Sequence, residues 1–271
     1  VSNGYIIYQG LSLLDDERIV VIATGFESRS TNRKTGAMIQ TYILRENISP
    51  TDAVQTGDDA SICGDCPHRG STTLLDGRPK NVGRTCYVNV GQGALSVWRA
   101  YKRGAYPYPT LPQWWAEQAF AAGRLVRLGT YGDPAAVPAF LWKTLLMDTK
   151  GHTGYTHQWK NPALSPGHLA ALRSMCMASV DSPAEAAQAQ AMGWRTFRVG
   201  MWGETERDRD GLHESLCPAS AEAGKKLTCE TCLACDGAES GKRGSIFIPA
   251  HGGTAVMANI RRKGEQARAG E

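Results

Sequence analysis

The chain has 271 residues, 42% of them hydrophobic, with 30 Lys and Arg against 26 Asp and Glu for a net charge of +4. This is the profile of a globular protein with one large core or two modest ones, and no apolar run approaches the length of a membrane span. So mild a positive balance permits contact with DNA or RNA without requiring it, and nothing in it names a protein partner.

The first hundred residues read as irregular and strand-rich. Tyr5 to Tyr8, Arg18 to Ala23 and Met38 to Leu44 carry the β-branched and aromatic content of strands. Between the last two, Ser28 to Gly36 forms a polar, basic hairpin tip in which Arg33 and Lys34 are candidates for gripping phosphate. Cys86 to Val90 reads as a strand, Gly93 to Arg103 as a helix and Pro112 to Ala122 as another. From there the pattern is regular. Strands at 124–128, 153–157, 175–180, 195–199 and 245–248 alternate with helices, two of which begin at Ser165-Pro166 and Ser182-Pro183. Another short strand runs into Cys217, and a last helix covers 254–261. The alternation predicts an α/β fold with a parallel sheet, a partial or complete (β/α) barrel. The expected organisation is a strand-rich region over 1–85, a barrel-like domain over 86–262 and a flexible tail over 263–271.

Seven of the eight cysteines fall into two groups. Cys63, Cys66 and Cys86 form the front group, and Gly64 lets the loop between the first two turn sharply. With three thiols, the fourth ligand is either His68, giving a Cys3His zinc site, or an open position on an iron–sulfur cluster. In the back group eleven residues separate Cys217 from the C-x-x-C-x-x-C run of Cys229, Cys232 and Cys235. Four thiolates suit a [4Fe-4S] cluster or a closed zinc site, and His251 is a possible extra ligand. Cys176 lies in an apolar run and reads as a core thiol. Clustered thiols with no secretory signal in the first ten residues point to a reducing, cytoplasmic setting.

A parallel β/α sheet gathers its chemistry at the carboxyl ends of the strands. The residues there are Asp133, His157, Asp181, Glu204, Cys217 and His251. His157 is the candidate proton-transfer group, with Asp133 and Asp181 as acids or helix caps. Tyr155 and Gln158 beside it are candidates for holding a planar substrate. Cys86 stands at the start of its expected strand and conflicts with the rule. The sequence contains no phosphate-binding Walker loop, dinucleotide glycine fingerprint, H-E-x-x-H or nucleophile elbow.

Cysteines ahead of a partial barrel, the strand end Gly129-Thr130-Tyr131-Gly132-Asp133-Pro134 and the cysteine-rich C-terminal segment together resemble radical S-adenosylmethionine enzymes. The resemblance implies an open-coordination cluster on Cys63, Cys66 and Cys86, an auxiliary cluster on the back four cysteines, and S-adenosylmethionine as co-substrate. The family's C-x3-C-x2-C spacing is not kept, because nineteen residues separate Cys66 from Cys86. Asn32 to Gly36, Cys63 to Cys66, Thr85 to Val88 and the C-terminal knot also resemble a group of phage and prophage proteins, which implies nucleic acid or nucleotides as substrate. Cys229, Cys232, Cys235 and His251 are loosely similar to the zinc site of base-exchanging transglycosylases. The reading of these features is a metal-cluster enzyme acting on nucleic acid or nucleotides. Its alternatives are a zinc-stabilised nucleic-acid-binding protein without catalysis and a zinc transglycosylase.

Overall fold

The structure is a computed structural model describing residues 2–28, 35–109, 123–200, 211–238 and 244–269. In chain order the elements are β1 (Gly4–Leu11), β2 (Arg18–Thr24), β3 (Ile39–Arg45), α1 (Pro50–Thr56), α2 (Ala60–Cys63), β4 (Ser71–Leu75), β5 (Arg78–Val82) and α3 (Leu95–Lys102). They continue with β6 (Val126–Tyr131), α4 (Ala139–Leu146), β7 (His152–Thr153), β8 (Tyr155–Thr156), α5 (Pro166–Met175), β9 (Met177–Val180) and α6 (Pro183–Ala191). The last are β10 (Thr196–Gly200), β11 (Glu214–Leu216), α7 (Cys229–Cys232), β12 (Ser245–Pro249) and α8 (Thr254–Ala269).

Two five-stranded sheets and an exposed hairpin, β4 with β5, account for the strands. The first sheet has the order β1-β2-β3-β6-β7; β1, β2 and β3 are antiparallel neighbours, and β6 and β7 then join in parallel. The second, β11-β12-β10-β9-β8, is parallel throughout. The protein is therefore a mixed α/β fold with parallel sheets and helices. Among the described residues the strands form open sheets and no closed barrel.

The expected strand over 153–157 is split. Gly154 separates β7 from β8 and links the two sheets, and a Cβ there would lie 2.8 Å from the Cys176 sulfur. Its N–H donates to the Cys235 carbonyl at 3.0 Å and its carbonyl accepts from Met177 N–H at 2.9 Å. Backbone contact this close leaves no room for a side chain. Cys176 is fully buried at this junction, as its apolar run implies.

One hydrophobic core runs from Tyr5 in β1 to Leu212 and includes β2, β6, Trp142 and Trp159. It crosses residue 85 without a break, because β3 of the front region pairs with β6 of the β/α region. Ser49, Ser165 and Ser182 each cap a helix whose first residue is proline, their hydroxyls accepting from Asp52, His168 and Glu185 N–H. These side chains satisfy amides that the first helical turn leaves open. Residues 263–269, in the stretch expected as a flexible tail, lie in a helix. α8 continues to Ala269, supported by an Arg261–Glu265 pair at 3.0 Å and by Lys263 Nζ donating to the Pro67 carbonyl at 3.0 Å. Helix-forming Lys, Glu, Gln, Arg and Ala dominate that stretch.

His168 in α5 donates from Nε2 to the Ala135 carbonyl at 3.1 Å, and burial lowers its pKa below the usual imidazole value. The neutral form is thus favoured in the folded state. As pH falls through the unfolded imidazole value, near ~6.5, the unfolded chain takes up the proton first and stability declines until the folded imidazole also titrates. His168→Gln is expected to flatten this part of the pH dependence, read as urea midpoints between pH 7.5 and pH 5.

Candidate functional site

The loop after α2 carries Cys63 and Cys66 and is held from three sides. Gly64 has φ +58°, and a Cβ there would lie 2.5 Å from the Gln158 side chain. Gln158 donates from Nε2 to the Cys63 carbonyl at 3.1 Å and to Asp65 Oδ1 at 2.8 Å. Arg69 donates to Asp59 Oδ1 at 2.7 and 2.9 Å and to the Gly64 carbonyl at 2.8 Å. Cys86 arrives on an irregular segment whose Thr85 and Cys86 amides both donate to the His68 carbonyl. The strand expected over Cys86 to Val90 is absent from this described segment, and the conflict with the strand-end rule disappears with it.

Three residues that directly follow parallel strands meet at this loop. Asp133 follows the Gly132 turn after β6, His157 follows β8 and Asp181 follows β9. His157 donates its N–H to Asp133 Oδ2 at 2.8 Å. Its ring lies with Nδ1 3.5 Å from Cys66 Sγ and Nε2 3.5 Å from Asp181 Oδ2. His68 Nε2 meets the other Asp181 oxygen at 2.7 Å, and its Nδ1 meets Thr85 Oγ1 at 2.7 Å. Asp181 thus receives an imidazole on each oxygen.

The electrostatics follow from this geometry. Burial alone would raise the Asp181 carboxyl, but hydrogen bonds from His157 and His68 hold it well below the carboxylate range. Burial would lower His157, yet the Cys66 sulfur and Asp181 hold it well above the usual imidazole value. Burial pushes the Cys63 and Cys86 thiols up; at Cys63 the neighbouring Cys66 adds to this, while at Cys86 the Arg84 charge opposes it. Burial also raises Asp133, whose Oδ1 accepts from Ala135 N–H at 2.9 Å. Both Asp133 oxygens are engaged with backbone, so it caps a turn and anchors His157.

The three front thiols, His68, His157 and Asp133 line one cavity of about 120 Å³. Among the described residues, the three-ligand group whose atoms lie within 4.8 Å of one another is His68, His157 and Asp181. No three sulfurs of the described cysteines meet that distance.

The back four cysteines also converge. Cys217 follows β11, α7 spans Cys229 and Cys232, and Leu233 with φ +49° turns the chain toward Cys235. Together they line a cavity of about 20 Å³ that Tyr155 closes. Burial pushes the Cys235 thiol up to about 12, the hydrogen bond with the Tyr155 hydroxyl opposes this, and the other three cysteines add to it. A third cavity of about 290 Å³, lined by Tyr87, Arg127, Tyr155, Cys217, Cys229 and His251 among others, lies between the two groups.

Several expected roles change. His68 has both ring nitrogens engaged, by Thr85 and Asp181, and is not aimed at the thiols as a ligand. Gln158 is fully buried and clamps the cysteine loop, so it does not face a planar substrate in the cavity. His251 directs Nδ1 at the Pro249 carbonyl and stacks on Tyr87 at 5.7 Å, which places it in the cavity wall. Tyr155 does line all three cavities. Arg33, Lys34, Glu204 and the helix expected over 112–122 lie outside the described residues. Arg127 and Tyr131 were not legible as site residues, since each lies within β6 like any other strand residue. No helix among the described residues is long and apolar enough to cross a membrane.

Fold and site thus define a mixed α/β protein with cysteine, histidine and carboxylate groups gathered at the carboxyl ends of parallel strands. Comparison with protein-family models, curated proteins and solved structures found no match to this chain.

Proposed function

We propose that the protein is an iron–sulfur enzyme acting on nucleotides or nucleic acid, with its reactive centre at the front cysteines. The observation that carries this reading is the single cavity shared by three thiols and His157, backed by Asp181. Cys63, Cys66 and Cys86 would hold a cluster with one iron position left open. Bound there, it would supply one-electron chemistry, with S-adenosylmethionine as a candidate co-substrate. The Tyr131 hydroxyl, which lines that cavity buried without a hydrogen-bond partner, gives a sulfide or thiolate a donor. His157 sits against Cys66 to donate to a thiolate and move a proton. The back four cysteines would form a closed second cluster. The run of parallel strands β3, β6, β7 with β8, β9, β10, β12 and β11 supports a partial (β/α) barrel as scaffold.

Anaerobic purification followed by iron, sulfide and zinc analysis and visible absorption tests the reading. The expected result is a coloured protein with two clusters. A colourless protein containing only zinc would remove it.

A second reading rests on the alignment of Cys66, His157 and Asp181, with 3.5 Å on each side of the imidazole. It makes Cys66 a nucleophile that passes its proton to His157 Nδ1 while Asp181 orients the ring, as in covalent group transfer. Selective alkylation of Cys66 in freshly purified protein that contains no iron would favour it. Equal reaction of all three front thiols would count against it.

A further inference from the structure

Arg127 extends from β6 into both the front cavity and the larger cavity between the cysteine groups. Its guanidinium lies 5.5 Å from the Tyr155 ring centroid, and among the described residues it has no hydrogen bond or ion pair. A guanidinium whose donors all open onto a cavity is available to an anion that enters it. The second observation is aromatic. Tyr87 and His251 stack at 5.7 Å with 25° between their planes, and both line the larger cavity with Arg127. A flat ring system stacked against this pair would share one cavity with the guanidinium, which an attached anion could meet.

We infer that the cavity between the two cysteine groups binds a mononucleotide unit, with its phosphate on Arg127 and its base on the Tyr87–His251 pair. The inference rests on the proposed nucleotide chemistry and names the residues that would select the substrate. Arginine suits the phosphate because its planar fork offers paired donors.

Titration calorimetry on the anaerobically purified protein with AMP, adenosine, inorganic phosphate and nicotinate tests this, with iron measured on the same samples. AMP is expected to bind at least ~10-fold more tightly than adenosine, the difference expected of a charged hydrogen-bonded contact. Arg127→Gln should erase that difference while leaving adenosine binding and iron content unchanged. Arg127→Lys should give an intermediate affinity and show that the fold tolerates change there. Tyr87→Ala should weaken AMP and adenosine alike. Equal binding of AMP to wild type and Arg127→Gln, or no AMP binding by iron-loaded protein, would overturn the inference. So would tighter binding of nicotinate, which assigns the site to a carboxylate, or loss of iron in Arg127→Gln, which makes Arg127 a counter-charge. Iron-free protein that still binds AMP through Arg127 would retain this inference and remove only the cluster reading.

Discussion

Replacing Glu214 with alanine is expected to destabilise the protein by about 3–5 kcal/mol, a large part of what a domain of ordinary stability holds. The side chains of Arg198 in β10 and Glu214 in β11 are both fully buried, and the guanidinium donates to the carboxylate through Nε and a terminal nitrogen at 3.0 Å each. The planar group also lies 4.7 Å from the centroid of Phe247 in β12, the strand between them. Removing the carboxylate takes a hydrogen-bonded counter-charge away from a buried guanidinium, and the cost of that desolvation exceeds any loss of packing. Urea unfolding monitored by tryptophan fluorescence measures the change. The double substitution Arg198→Met with Glu214→Leu should recover most of the stability, because two apolar side chains carry no desolvation penalty. A loss below ~1 kcal/mol in Glu214→Ala would show that water reaches the pair after all.

The second large effect separates the two cysteine groups. If each holds its own cluster, Cys217→Ser should lower bound iron to about half, and Cys66→Ser should do the same from the other side. The functional consequences should differ. Cys66 opens with His157 onto the front cavity, so its loss is expected to abolish turnover, while the back cluster keeps its visible spectrum. Cys217 is buried in the closed back group beside β12, so its loss should also lower thermal stability. Iron and sulfide counts on the two variants decide the matter. Unchanged iron in both would mean that neither group is a cluster site.

Much of the scaffold was legible because its elements are short and well punctuated. β-branched runs marked β1 to β3, and Ser-Pro pairs marked α5 and α6. The same Ser-Pro signal at Ser49-Pro50 was available for α1. The exposed hairpin β4–β5 had no clear alternation of apolar and polar residues, and its strands carry almost no buried side chain. The split at Gly154 was hidden for a different reason. A glycine inside a strand pattern can mark a bulge, a bend or a close approach, and here the nearby Cys176 sulfur and Met175 carbonyl decide which.

The candidate site divides along the same line. Spacing alone grouped the cysteines, and strand ends alone nominated Asp133, His157 and Asp181, because ligand pairs within a loop and residues after a strand are local features. Local order cannot say which nitrogen of which histidine faces a thiol. His68, two residues past Cys66, turned out to face Asp181 and Thr85, while His157, ninety-one positions from Cys66, lies against its sulfur. Nor could it show that Arg127 opens onto two cavities between the cysteine groups, since that depends on everything packed around it. Residue chemistry and strand periodicity are written along the chain. The partner of each charge, and hence the role of each polar side chain, is fixed only when β6, β8 and β9 bring their ends together.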